Sequence, residues 1–436
     1  MPELREERQE VGTCVELFAG GGGLAMAVHA AGFRPLLVNE LAPRACQSLK
    51  DNPPNPKEPE KGWPLVSGDV SKIDFGEHVT EEVDVLAGGP PCQPFSLGGV
   101  HKGTEDKRNM FPEMFRAIRE MRPKAVICEN VRGLLRPSFK PYFNYILNEL
   151  SLPFVERDEG AAWEDHNELL EKLIANESVD PPERYVAKKM EVNAADYGVP
   201  QIRNRVIIVA FRADLDVDWE EFMPAETHSE ESLIYSMREG GLYWKRHEVD
   251  ADVRKRVIAN LPELDYENEK VKEKLKLEPW RTLRDAIAGI DENEGKPLPY
   301  VTEEAVKDKV EVDGIPDHVG WPGARMYTGH TANLLDRPAK TVKAGVHGVP
   351  GGESVMQLDN VNFVNFGGET GYRYMTVRET ARVMTFPDRW ILDGPRGEKM
   401  RQLGNAVPVK LGAAFAEAVA NALKSVGTLE DPEKRK

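Results

Sequence analysis

Apolar residues in the first half of the chain follow two rhythms. Runs at 13–18, 35–39, 83–87 and 125–128 are almost continuously apolar, the pattern of short strands buried on both faces of a parallel sheet. Between them, stretches near 24–31, 43–50 and 110–121 repeat their apolar positions with a helical period. Alternating strand and helix predicts an α/β fold built on a doubly wound, Rossmann-like, mostly parallel sheet. Gly32 falls where the first helix needs a left-handed C-cap. The pattern breaks in a polar, acidic insertion at 152–183, returns in a strong strand at 205–211, and is lost again from 214 to 338. Alternation resumes afterwards and closes with a helix on which Leu411, Phe415, Ala418, Val419 and Leu423 share one face, with Gly427 just beyond. The domains expected are therefore 1–213, a smaller inserted domain at 214–338, a return to the first domain at 339–427, and a tail at 428–436.

Composition narrows the class. With 436 residues the chain has room for two cores. No apolar run reaches membrane-spanning length, and the charged first eight residues lack the apolar segment of a signal peptide, so a cytoplasmic location is expected. Four cysteines without Cys-x-x-Cys spacing argue against both a zinc site and a disulfide framework. The net charge of −16 is unusual for a protein that binds a polyanion. Acidic residues collect at 156–183 and 263–317, however, and cationic stretches at 245–246, 254–256, 325–343 and 373–401 leave a binding face open.

Candidate chemistry sits where the strands stop. Glu16 and Gly20-Gly21-Gly22-Gly23 follow the first strand, Glu40 the second, Asp69 the third, Cys92 the fourth and Glu129 the fifth. Open α/β sheets bind ligands outside the carboxyl ends of their strands. A glycine loop followed about twenty residues on by Glu40 suits an adenosine-containing cofactor, either a nicotinamide dinucleotide or S-adenosylmethionine. Asp69 reads equally as an acceptor for an adenine amino group or as a helix cap. In Gly88-Gly89-Pro90-Pro91-Cys92-Gln93-Pro94-Phe95-Ser96, glycines end a strand and prolines stiffen a loop around one thiol. That favours a positioned nucleophile over a core cysteine. Arg203 and Arg205, two apart in extended chain, would point to one face.

Five blocks, in this order, resemble the DNA (cytosine-5) methyltransferase family. They are Glu16-Leu17-Phe18-Ala19-Gly20-Gly21-Gly22-Gly23-Leu24, the Pro-Pro-Cys-Gln loop, Glu129-Asn130-Val131-Arg132-Gly133, Tyr197-Gly198-Val199-Pro200-Gln201-Ile202-Arg203-Asn204-Arg205, and Gly404-Asn405-Ala406-Val407-Pro408. The run 374–387 resembles the segment that precedes the last block. Glu16 stands where family members commonly carry Asp, and Ala19 where Ser is frequent.

The resemblance implies a class I methyltransferase fold, S-adenosylmethionine as cofactor, and transfer of its methyl group to carbon 5 of a cytosine flipped out of duplex DNA. Cys92 would add to carbon 6. Glu129, protonated or sharing a proton with ring nitrogen 3, would draw charge from the ring. Arg205 would hold the base through its carbonyl oxygen, and Arg203 would brace the catalytic loop. Phe18, Gly20, Gly22, Gly23, Leu24, Glu40, Asp69, Pro90, Asn405 and Val407 would line the cofactor pocket, the last two by folding back beside the glycine loop. The domain at 214–338 would read sequence, with Trp244, Lys245, Arg246, Trp280, Trp321, Arg325, Tyr327 and His330 as candidates. The implied setting is a monomer, without metal or membrane, bound to duplex DNA in the nucleoid and accompanied by a separate cognate restriction endonuclease. The rival readings are the same chemistry on tRNA, a catalytically silent DNA-binding relative, and a nicotinamide enzyme on a similar sheet.

Overall fold

The computed structural model describes residues 10–55, 57–91, 109–238, 241–288, 297–326, 328–344 and 354–429, so Cys92 and Tyr327 lie outside the described residues. It divides into two compact units. The first, 10–192 with 204–224 and 412–429, holds a seven-stranded sheet in the order β3-β2-β1-β4-β5-β7-β6. These strands are β1 (Gly12–Leu17), β2 (Phe33–Glu40), β3 (Leu65–Ser67), β4 (Val85–Gly88), β5 (Ala125–Val131), β6 (Tyr185–Asn193) and β7 (Asn204–Arg212). The pairs β1–β2, β2–β3, β1–β4 and β4–β5 are parallel, while β7 runs antiparallel to β5. Crossovers use α1 (Gly23–Ala30), α2 (Pro43–Asp51), α3 (Phe75–His78), α4 (Phe111–Met121) and α5 (Lys140–Ser151), followed by α6 (Trp163–Ala175).

Strand order reverses between β1 and β4, which opens a crevice at their carboxyl ends. Leu17 and Gly88 are partners in that register. A Cβ on Gly88 would lie 3.0 Å from the Leu17 carbonyl oxygen and 3.1 Å from the Met114 sulfur, so the close approach of strand and helix requires glycine there. One face of the sheet (Leu17, Leu86, Val126, Ile208) packs on Phe111, Phe115, Phe143 and Ile146, all fully or nearly fully buried. Each phenylalanine there contributes about 1.5–3 kcal/mol of burial. At the opposite end of the strands, the Asp84 carboxylate accepts from the Thr13 N–H and from the Lys124 Nζ, both at 2.7 Å, and locks β1, β4 and β5 together. The acidic insertion contributes α6, whose buried His166 and Leu170 make it part of the core rather than a purely solvated appendage.

The second unit comprises 193–203 and 225–411. It contains a small sheet of Asn333–Leu334, Val355–Gln357 and Tyr372–Tyr374, a two-stranded pair of His228–Ser229 and Glu278–Pro279, and short helices. Its polar centre is Arg284, forked onto Asp336 at 2.7 and 2.9 Å and onto Asp359 at 2.7 and 3.1 Å. The boundary expected at 338/339 falls inside this unit. The alternation after 338 is real, but Val355–Gln357 and Tyr372–Tyr374 pair with each other, and Val355–Gln357 pairs with Asn333–Leu334 in the same small sheet. Ala339 in turn bridges to 200–202: the Ile202 N–H donates to its carbonyl at 2.8 Å, and its own N–H donates to the Pro200 carbonyl at 2.9 Å. Trp244 and Trp280 fill a core with Leu233, Met237 and Tyr243, whereas Trp321 is 37% exposed and lies under the cations of Lys309 and Arg396.

Contrary to the composition reading, one stretch, Arg396–Ser425, has the length and hydropathy of a membrane span. It is two helices, Arg396–Asn405 and Val409–Ser425, and 72% of its apolar window is buried inside the protein, so packing accounts for its character.

Candidate active site

The glycine loop leaves β1 through three left-handed residues, Phe18 (φ 61°), Gly20 (φ 55°) and Gly22 (φ 91°). A phenylalanine in that region carries strain of the kind found at binding sites. Space is open around the position a Gly20 Cβ would take, so the loop backbone can meet a ligand directly. Gly22 caps α1 without a side chain. The cap comes instead from Glu16, whose carboxylate accepts from the Ala25 N–H. Glu16 therefore sits within β1 rather than past its end, 3% exposed, with Oε2 lacking a partner. Burial pushes its carboxyl well above the usual range, and the nearby Glu40 charge adds to this.

Glu40 ends β2 and fastens the loop, its Oε2 accepting from the Gly20 N–H and its Oε1 from the Ala42 N–H, both at 2.7 Å. Each oxygen keeps a further lone pair for a hydroxyl. Asp69 takes the capping role. Its Oδ1 accepts from the Ser71 N–H at 3.0 Å and the Ser71 hydroxyl at 2.9 Å, and the backbone bond in particular lowers its pKa. Leu24 is 5% exposed and packs in the core, while Leu41, which sequence reasoning passed over, is 66% exposed beside Glu40. A large apolar side chain left in water directly after the acidic strand end was the available signal.

On the other side of the crevice, β4 ends at Gly88 and the chain continues through Gly89, Pro90 and Pro91 toward Cys92. A Cβ on Gly89 would stand 3.5 Å from Glu129 Oε2, so the acid lies directly beneath this turn. The next residue, Asn130, is buried and donates from Nδ2 to the Pro90 carbonyl at 3.1 Å. One dipeptide thus supplies a carboxylate to the site and fastens the start of the thiol loop, a second role that the sequence reading did not assign. Antiparallel pairing sets the first residues of β7 beside the last of β5, with Arg205 opposite Val131. Arg205 Nε and Glu129 Oε1 are 2.6 Å apart, an ion pair in which the N–H is not aligned on the oxygen. Both side chains are about nine-tenths buried. The other thiols do not compete as nucleophiles: Cys14, Cys46 and Cys128 are buried, and burial pushes the Cys14 and Cys128 thiols upward.

Arg203 immediately precedes β7, which begins at Asn204. In the second unit its guanidinium, 1% exposed, donates to the carbonyls of Val342, Gly404 and Ala406, each at 2.9 Å. It clamps the last motif, where the resemblance implied a brace for the catalytic loop. Gly404 is held equally tightly, since a Cβ there would lie 2.3 Å from the Ala344 nitrogen. Asn405 ends the helix Arg396–Asn405 exposed, and Val407 is buried. The 374–387 run is structural too. Thr376 and Glu379 form a capping box, Arg373 forks onto the buried Glu379, and Arg378 donates to the carbonyls of Pro316, Pro387 and Trp390.

A sheet in this order, with a glycine loop and an acid at one side of its crevice and an acid–arginine pair at the other, defines a methyltransferase of the class I type. The chain belongs to the C-5 cytosine-specific DNA methylase family, whose sequence model matches residues 12–152 and 164–421, and it is a DNA cytosine-5 methyltransferase. It is 31% identical to the type II methyltransferase M.Eco47II of Escherichia coli over 98% of this chain and 82% of that one. To M.NgoMIV of Neisseria gonorrhoeae it is 28% identical over 94% and 98%. Among solved structures, the Dnmt2 methyltransferase of S. pombe superposes with a TM-score of 0.50 at 14% identity, over 96% of this chain and 99% of that one, a likeness of fold.

Proposed function

We propose that the enzyme uses S-adenosylmethionine and methylates a specific duplex sequence through a covalent adduct on Cys92. The observation that carries this reading is the Glu129–Arg205 pair lying beneath Gly89, three residues before the thiol. The Cys92 thiolate adds to carbon 6, and the ring electrons this releases form the bond from carbon 5 to the methyl carbon. The cofactor, when bound, supplies an electrophilic methyl group and departs as a neutral thioether. Glu129 shares a proton with ring nitrogen 3 while Arg205, its partner at 2.6 Å, turns a donor to the carbonyl oxygen. Water removes the carbon 5 proton, the double bond reforms, and the thiolate leaves.

The residues fit the cofactor. Gly20 leaves open space over its backbone, Glu40 retains lone pairs for ribose hydroxyls, and the exposed Leu41 offers an apolar surface to a flat ring. Phe18, Gly22, Gly23 and Asp69 complete this side, and Pro90, Asn405 and Val407 are assigned on the motif resemblance. Leu24 supports the loop from the core. A monomeric cytoplasmic enzyme paired with a separate restriction endonuclease is part of this proposal and rests on the motif resemblance alone.

Expression in a host without cytosine methylation, followed by sequencing for 5-methylcytosine, tests the proposal. Methylation of one recurrent sequence is expected. Transfer to tRNA but not to duplex DNA, or transfer to neither, would overturn it.

A further inference from the structure

One cation of the second unit is drawn out of water without a counter-charge. Arg396 is half-buried, its guanidinium carbon 5.4 Å from the centre of the Trp321 ring and 5.2 Å from that of Tyr374. Its Nε and Nη2 are closed to solvent and meet no hydrogen-bond partner. It also opens the helix Arg396–Asn405, the end at which the backbone dipole favours an anion over a cation. Burial pulls its pKa down to about 10, against a smaller opposing effect of Tyr374. Lys309 lies over the same Trp321 ring, 4.8 Å from its centre, and is exposed. Of the acids close by in sequence, Asp317 is taken by Lys399 and Glu398 by Arg401. Among the described residues, neither Lys309 nor Arg396 meets a carboxylate within ion-pair distance.

Aromatic rings hold a guanidinium in place, but they do not replace the hydrogen bonds and counter-charge that it gives up on leaving water. An arriving anion would relieve all three penalties together: the unmet donors, the buried charge and the opposed dipole. Trp321, itself exposed, keeps the pair open to one. In a chain of net charge −16, two cations without carboxylates are a place where a polyanion can approach. We propose that Arg396 and Lys309, held on Trp321, form a seat for the phosphate backbone of duplex DNA. The proposal rests on the reading that the enzyme acts on duplex DNA. The guanidinium fork suits phosphate oxygens, and a seat of this kind adds affinity and fixes register without reading any base.

DNA affinity of the full-length enzyme across a salt series, measured on the methylated sequence, on an unrelated duplex and on tRNA, tests this beside the urea midpoint. Arg396→Met keeps an apolar stem between the rings and removes the charge. Affinity for both duplexes should fall by about fivefold to tenfold, the slope of log affinity on log salt should flatten by about 0.9, and the midpoint should hold or rise. Lys309→Gln should flatten the slope by a similar amount. Lys276→Gln, which removes an ammonium already paired with Glu273 at 2.7 Å, should leave it as in wild type. A wild-type slope in Arg396→Met or Lys309→Gln, an equal flattening in Lys276→Gln, a loss confined to the methylated sequence, or a loss that follows a lowered midpoint would overturn the seat. Wild-type enzyme that binds tRNA and neither duplex sinks the duplex reading and the seat together, whereas duplex binding with an unaltered slope in Arg396→Met sinks the seat alone.

Discussion

Arg203 and Arg205 stand two residues apart and carry the same side chain, yet one meets three main-chain carbonyls and the other the Glu129 carboxylate. Arg203→Ala would strip the carbonyls of Val342, Gly404 and Ala406 of the donors they now meet at 2.9 Å, in a site where the arginine is 1% exposed. A hydrogen bond to a charged group contributes about 1.5–3 kcal/mol, and an orphaned buried acceptor costs a comparable amount. The three bonds share one guanidinium and are not independent, so a loss of about 4–6 kcal/mol is expected. Against an unfolding free energy of about 5–15 kcal/mol this is severe, and at about 2–3 kcal/mol per molar urea the midpoint should fall by about 1.5–2.5 M. Arg205→Lys keeps a positive charge facing Glu129 and should move the midpoint by less than about 0.5 M. It loses the planar fork, however, and transfer should drop about a hundredfold. Tryptophan fluorescence in urea and single-turnover transfer of a labelled methyl group, run on both variants, give the comparison. Arg203→Ala unfolding at the wild-type midpoint with transfer abolished would refute the reasoning and return Arg203 to the catalytic loop.

Other changes follow from the same geometry. Glu129→Gln preserves shape but removes the exchangeable proton, so transfer should fall by about a hundredfold to ten-thousandfold while DNA affinity in a binding titration holds. Glu40→Ala orphans the N–H groups of Gly20 and Ala42 as well as any ribose hydroxyl; calorimetry should show cofactor affinity reduced by about tenfold or more with the fold intact. Burial pushes Glu149 in α5 up to about 7, against the opposing effects of Tyr145, Arg157 and Arg119. Its folded pKa lies above its unfolded value of 4.5, so the fold binds the extra proton and wild-type stability is lost as pH rises from about 4.5 to 7. Glu149→Gln should match wild type below pH 4.5 and exceed it at pH 8, by at most about 3 kcal/mol, in urea titrations at the two pH values. A Glu149→Gln variant less stable at pH 8 would contradict this.

The strand ends were legible because they depend on short-range pattern. A buried apolar run closed by glycine or a carboxylate marks the carboxyl end of a parallel strand, and Glu40 and Gly88 lie where that rule puts them, whereas Glu129 lies within its strand, which runs on to Val131 along β7. What failed needed knowledge of pairing. Nothing near residues 355–374 says that their strands join 333–334 in a small separate sheet, so the boundary at 338/339 was drawn through a unit. The partners of Arg203, the carbonyls of Val342, Gly404 and Ala406, lie 139 to 203 residues away in sequence and leave no local signal. Asp69 left two readings open, and the cap on Ser71 occupies one of its two carboxylate oxygens, so the two readings are compatible. Asn130 was hidden because its partner is a main-chain carbonyl forty residues away in sequence, at Pro90. Trp163 falls in a stretch read as polar and acidic, and its aromatic partners Tyr142 and Tyr145 lie on the preceding helix.

The covalent step is the claim on which the rest depends, and a duplex carrying 5-fluorocytosine at the recognition sequence tests it most directly. Fluorine at carbon 5 cannot be lost as a proton is, so once thiol and methyl have both added, elimination stops. With S-adenosylmethionine present, the wild-type enzyme should form a denaturant-stable conjugate whose mass is protein plus oligonucleotide plus one methyl group less the thiol hydrogen, mapped by peptide sequencing to Cys92, and Cys92→Ser should form none. A methylated duplex released without any conjugate, or a conjugate mapped to Cys14, Cys46 or Cys128, would contradict the account.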